Sequence, residues 1–392
     1  MKSNKEKAIF RSPDNFCIMK YYVIAGEASG DLHASNLIEG IKKYDHNAVF
    51  RGFGGNLMIS KNVQIVKHIS ELAFMGITEV IANIITIRNN FNFCKKDIIS
   101  YSPDVLILVD YPGFNLRIAK FAKSKGIKVF YYISPAVWAW HRSRIKIIRK
   151  FTNKMFVILP FEKEFYRKFN IEVEFAGHPL LDAIANEENN IPSFSEFCKQ
   201  NKLSGKPIIA ILPGSRQQEI KKKLPVMLAC IPYFNKYQFV IAGVPSISID
   251  FYNQFMIKQK TPIVFGKTYQ ILKNSHSAIV TSGTATLETA LFRIPQVVCY
   301  KVSSLTYFIA KLIVHVKYIS LVNIILNKEA VCELIQGKFT VEALKNELTL
   351  ITGGFKREQI LSDYDSLSKL IGTAGASQRT AKFIVDYLKQ IG

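Results

Sequence analysis

Lys20-Tyr21-Tyr22-Val23-Ile24-Ala25 runs straight into Gly26-Glu27-Ala28-Ser29-Gly30-Asp31. An unbroken apolar run, closed by a glycine-containing turn and followed by a helical pattern, reads as a buried strand over 21–25. The pattern recurs at 48–52, 105–109, 128–132, 154–158 and 173–175. After a polar interval at 184–206 it resumes at 208–212, 238–242, 262–265, 278–280 and 296–299. Continuous apolar strands separated by helices predict an α/β fold: two halves of similar size, each a parallel sheet covered on both faces. The chain closes with helical patterns at 341–351, 356–370 and 374–390 and, on this reading, no further strand. Residues 1–18 are polar and read as an extension before the fold, with no signal-peptide pattern.

Composition narrows the classes. With 392 residues and 48% hydrophobic side chains the chain is too apolar to be mainly disordered. Lys and Arg number 52 against 30 Asp and Glu, a net charge of +22, which points to an anionic partner. The cysteines at 17, 94, 198, 230, 299 and 332 have no CxxC spacing, so neither a disulfide framework nor structural zinc is expected. No apolar run reaches the length of a membrane span.

Ligands of open α/β sheets bind beyond the carboxyl ends of the strands, so the motifs that follow strands carry the functional reading. Glu27 is a carboxylate at the first such end, and Ser29 and Asp31 are expected to cap the helix behind it. The apolar run 105–109 delivers Asp110, which serves either as a general base or as a cap of the following helix. Tyr131-Tyr132-Ile133-Ser134-Pro135-Ala136-Val137-Trp138-Ala139-Trp140-His141 places both tryptophans after a strand, as a packed loop or as a wall for a sugar or acyl chain. The segment 74–87, with Met75, reads as a buried helix or as an apolar helix that takes up lipid chains.

In the second half, Leu212-Pro213-Gly214-Ser215-Arg216 offers backbone N–H groups and a guanidinium fork to an anion. Ser282-Gly283-Thr284 opens another helix after a strand, and Glu288 lies one turn into it, where a carboxylate can accept from ribose hydroxyls. Together these loops predict a nucleotide-diphosphate site; there is no GxxxxGK[ST], which argues against a P-loop enzyme. No HExxH and no tight carboxylate cluster is present, so no catalytic metal and no cofactor are expected.

Taken in order, GEASGD (26–31), ELAFMGITEV (71–80), VDYPGFN (109–115), YYISPAVWAWHRSR (131–144), ILPFEKEFY (158–166), FAGHPLLDA (175–183), LPGSRQQEI (212–220), TSGTATLETA (281–290) and YISLVNIILNKE (318–329) resemble the lipid-A-disaccharide synthase family of Gram-negative bacteria. The resemblance implies a GT-B fold: two Rossmann-like domains facing a central cleft, with a C-terminal helix returning to the N-terminal domain. It implies an acceptor domain over 19–190, a UDP-sugar domain over 200–365 and a returning helical segment over 366–392. The implied donor is UDP-2,3-diacylglucosamine and the acceptor 2,3-diacylglucosamine 1-phosphate (lipid X), joined with inversion into the β(1→6) disaccharide. Asp110 is then the expected base, with Glu27 second. Gly214, Ser215, Arg216, Ser282, Gly283, Thr284 and Glu288 would hold the nucleotide, and Ser29, Asn323, Trp138 and Met75 would contact substrate. The resemblance further implies a cytoplasmic enzyme at the anionic inner-membrane surface, with a homodimer allowed and no nucleic-acid partner. The chain departs from the family at Ser320-Leu321-Val322-Asn323, where Val322 replaces a proline, and at His141, where the family often has Arg or another polar residue. Two alternatives fit less of the chain: another GT-B enzyme using UDP-N-acetylglucosamine, as transferase or 2-epimerase, and a basic nucleic-acid-binding protein without catalysis.

Overall fold

The computed structural model describes residues 18–72, 83–139, 143–188, 190–256, 260–303, 307–308 and 316–391. The expectations for Met75 and for Trp140 and His141, and most of the segment 74–87, lie outside the described residues.

The first half builds β1 (Lys20–Ala25), α1 (Ala28–Tyr44), β2 (Val49–Gly54), α2 (Asn56–Ser60), β3 (Gln64–His68), α3 (Ile84–Tyr101), β4 (Val105–Val109), α4 (Pro112–Ser124), β5 (Lys128–Tyr132), α5 (Arg144–Phe151), β6 (Lys154–Val157), α6 (Glu162–Arg167) and β7 (Glu174–Phe175). The chain crosses over through α7 (Leu180–Glu188) and α8 (Phe194–Gln200). The second half builds β8 (Ile208–Leu212), α9 (Gln217–Ala229), β9 (Gln238–Gly243), α10 (Ile249–Asn253), β10 (Ile263–Phe265), α11 (Thr268–Lys273), β11 (Ser275–Thr281), α12 (Thr284–Leu291), β12 (Gln296–Tyr300), α13 (Leu321–Leu326) and β13 (Glu333–Ile335). Three helices close it: α14 (Val341–Ile351), α15 (Phe355–Ile371) and α16 (Ala376–Ile391).

All pairings are parallel. One sheet runs β3-β2-β1-β4-β5-β6-β7 and the other β10-β9-β8-β11-β12-β13. The central strands β1, β4 and β8 are buried almost throughout because both sheet faces are covered. On one face of the first sheet Leu37, Ile38 and Ile41 of α1 meet Ala381, Ile384, Val385 and Leu388 of α16. The C-terminal helix thus returns to the N-terminal sheet. A Cβ at Gly40 would crowd Ala381 to 2.9 Å, so a residue without a side chain is what lets these two helices approach so closely.

Two strands correct the sequence reading. β3 was not anticipated, and β13 overturns the expectation of no strand after 296–299, since it pairs with β12 from Val298 to Tyr300. β3 is an edge strand with no fully buried residue, and β13 is three residues long with a glutamate at its head, so neither forms the long apolar run that marks a central strand. The strand order reverses between β1 and β4 and again between β8 and β11, and crevices open at such points.

Candidate active site

The carboxyl ends of β1 and β4 bring Glu27 and Asp110 together. Glu27 occupies the N-cap position of α1 in an extended conformation and makes no side-chain capping bond. Asp31 does not cap α1 as expected. It is buried and accepts from the backbone N–H groups of Gly55 (2.7 Å), Leu57 (3.0 Å) and Met58 (3.2 Å), which caps α2 instead. Ser29 is exposed on the first turn of α1.

Asp110 and Tyr111 both carry positive φ, 45° and 47°, a conformation that costs a non-glycine residue about 1 kcal/mol or more and persists only where the surroundings enforce it. The enforcement is visible. The Asp110 carbonyl accepts from Asn115 Nδ2 (2.7 Å) and the Tyr131 hydroxyl (2.6 Å), and its N–H donates to the Tyr132 carbonyl (3.0 Å). Tyr111 lies over Gly26, where any Cβ would overlap its ring. The cap reading of Asp110 gives way: Tyr111 is the N-cap of α4, and its side chain makes no capping bond. Burial pushes the Asp110 carboxyl up to about 6, and the Glu27 charge adds to the rise. Glu27 is also raised by burial, with the Arg216 guanidinium pulling the other way. That attraction spans the two sheets.

Across the crevice, a cavity of about 920 Å³ is walled by Leu32, Ser35, Asn36 and Leu57 of the first half and by residues of the second. The second-half wall contains every residue expected at the nucleotide: Gly214, Ser215, Arg216, Ser282, Gly283, Thr284 and Glu288. Gly214 has φ +123°, and a Cβ there would run into the Glu219 carboxylate, so the turn requires glycine. Ser282 donates its hydroxyl to the Ile319 carbonyl (2.8 Å), which leaves its lone pairs rather than its proton to the cavity. Burial pushes Glu288 up to about 7, opposed by its hydrogen bond from Tyr269.

Glu27, Ser29, Asp110, Trp138 and Asn323 do not line this cavity; Glu27 is linked to it through the Arg216 charge. Trp138 packs edge-on against Phe161 at 5.1 Å. Asn323 is fully buried, and its amide is spent on protein: Nδ2 donates to Val331 O and Glu333 Oε1, and Oδ1 accepts from the N–H groups of Ala330 and Val331. It pins the turn between α13 and β13. Three contributors escaped the sequence reading. Asn115 holds the Asp110 carbonyl from five residues away, Glu219 supports the Gly214 turn, and Tyr269 meets Glu288. Only Asn115 carries a signal that could have found it, a polar residue on a buried helix face. Among the described residues no group of His, Cys, Asp and Glu is arranged to hold a metal ion, and no helix is long and apolar enough to cross a membrane.

Residues 21–383 match the family model described as lipid-A-disaccharide synthetase. A lipid-A-disaccharide synthase of Syntrophus aciditrophicus is 36% identical over 376 residues, covering 94% of this chain and 97% of that protein. One from Coxiella burnetii is 35% identical over 368 residues, covering 92% of this chain and 96% of that protein. Among solved structures, UDP-GlcNAc 2-epimerase from Neisseria meningitidis bound to UDP-GlcNAc aligns with a TM-score of 0.66 at 12% identity, covering 95% of this chain and 100% of that one. The calicheamicin glycosyltransferase CalG4 aligns with a TM-score of 0.59 at 11% identity, covering 95% and 99%. At that identity the structural likeness concerns the fold, which is GT-B.

Proposed function

Because this chain belongs to the lipid-A-disaccharide synthase family, a family of glycosyltransferases, we propose that it joins UDP-2,3-diacylglucosamine to 2,3-diacylglucosamine 1-phosphate with inversion at the donor's anomeric carbon. The observation that carries the reading is that Glu27, close enough to Asp110 to raise its carboxyl, also feels the charge of Arg216 from the other half of the chain. Direct displacement needs a base and a cation on opposite sides of the reacting carbon.

Asp110 accepts the proton of the acceptor's 6-hydroxyl as that oxygen bonds to the anomeric carbon. The bond from that carbon to the diphosphate oxygen breaks, and UDP departs with the electron pair. Arg216 and the N–H groups at the start of α12 stabilise the departing charge. A fork of two N–H donors suits a diphosphate better than a point charge does. Glu288 takes the ribose hydroxyls. Glu27 keeps the Asp110 carboxyl basic by repulsion. Ser29 remains assigned to the acceptor, with Trp138 beside the acyl chains. Ile84 and Ile85, both exposed at the start of α3, together with the net charge of +22, support contact with an anionic membrane surface at the cytoplasmic face.

The test is a transfer assay with purified protein, radiolabelled lipid X and UDP-2,3-diacylglucosamine in detergent. A disaccharide 1-phosphate plus UDP is expected. Absence of that product from protein that still binds UDP overturns the substrate assignment, and conversion of UDP-N-acetylglucosamine to its 2-epimer would replace it.

A further inference from the structure

A carboxylate stands where an anion is expected to bind. Glu219 lines the cavity, and its Oε2 accepts the Ser215 N–H at 3.3 Å from directly beneath the Gly214 turn. Left uncompensated, it would repel the diphosphate that this turn is read as holding. Two cations face it: Arg216, the N-cap of α9, at 3.9 Å and Lys223, within α9, at 4.0 Å. Their exposure separates them. The Arg216 side chain is 53% exposed, whereas that of Lys223 is 3% exposed. Arg216 can swing toward a ligand; Lys223, one helical turn below Glu219, is enclosed and has nowhere to go.

We infer that Lys223 is a positioning residue of the donor site, staying paired with Glu219 while Arg216 turns to the diphosphate. Glu219 then goes on bracing the Gly214–Ser215 turn without opposing the ligand's charge. The inference rests on the reading of that turn as the diphosphate site. Burial makes the ammonium costly at this position, and the Glu219 charge is the largest influence favouring it, against Lys222 and Arg216. A buried lysine held by one carboxylate adds little to stability over an apolar residue of similar length, so the pair calls for an explanation other than folding. Lys221-Lys222-Lys223 is a run of three lysines, and the helical period turns the third of them inward.

The probe is UDP alone, with binding followed by calorimetry. Arg216→Ala comes first: binding equal to the wild type would overturn the diphosphate reading itself. With that loss established, Lys223→Met is expected to weaken UDP binding about tenfold, while Lys223→Arg keeps most of it. Adding Glu219→Gln to Lys223→Met should recover most of the loss, which a purely structural role for the lysine does not predict. Glu219→Gln alone retains an acceptor for the Ser215 N–H and should bind UDP no more weakly than the wild type, so the inference stays testable even if Lys223→Met folds poorly. Unchanged affinity in Lys223→Met, no recovery in the double variant, or weaker binding in Glu219→Gln each overturns it.

Discussion

Two carboxylates at the ends of neighbouring strands compete for ionisation, and here the competition sets the working pH. Burial raises both, and Glu27 pushes Asp110 further, to about 6. A base must be ionised to accept a proton, so kcat/KM should fall on the acid side with an apparent pKa near 6 that belongs to the pair rather than to either residue. Glu27→Gln removes the repulsion and should move that limb to lower pH; a limb that stays in place would mean burial alone sets the value. Asp110→Asn should cut turnover by about 10²–10⁴, the usual worth of a positioned base, with UDP affinity retained. Near-normal turnover in that variant would remove Asp110 from the chemistry. Asp110 was legible in the sequence because an apolar run ends on it. The device that aims it was not: neither its positive φ nor the Tyr131 hydroxyl on its carbonyl leaves a pattern in the sequence, and of the clamp only Asn115 carried a signal.

At the scale of elements, the turn between β8 and α9 does two jobs with one residue type. Gly214 adopts φ +123°, and its missing side chain makes room for Glu219, which reaches back from the first turn of α9 to the Ser215 N–H. Gly214→Ala meets both obstacles at once. It should lower stability by about 1–2 kcal/mol in urea unfolding and raise the KM for the donor, because relieving the clash moves the N–H groups of the turn. A stability loss with an unchanged KM would separate the turn from the donor. The central strands were readable because burial on both faces leaves an uninterrupted apolar run. Edge and short strands were not, since β3 is half-solvated along its length and β13 begins with Glu333, whose carboxylate accepts the N–H groups of Ile319 and Ser320. The role of Asp31 was misread for a related reason: its partners lie 24 to 27 residues away, beyond any local capping pattern.

The whole molecule is closed by a knot of hydrogen bonds where the chain crosses between its two halves. Asp182, near the start of α7, accepts from the N–H groups of Gly375, Ala376 and Ser377, and so caps α16 from a helix 193 to 195 residues earlier. Arg379 completes the tie by donating to the carbonyls of Ala176, Thr373 and Ala374. The outward and returning crossings are therefore held together, and the same α7 carries Ala183, Asn186 and Glu187 into the cavity wall. Asp182→Ala strips a charged acceptor from three N–H groups at a helix start, two of them on buried residues. The expected loss is about 3 kcal/mol, read as a lower urea midpoint at unchanged slope. Asp182→Asn should recover only part of it, because one amide oxygen cannot serve all three donors and the amide nitrogen would face an N–H. If both variants keep the wild-type midpoint, the apolar contacts of α16 with α1 hold the returning helix by themselves. If the predicted loss appears together with a raised KM for donor and acceptor alike, the crossing point also sets the width of the cleft, as a shared wall requires.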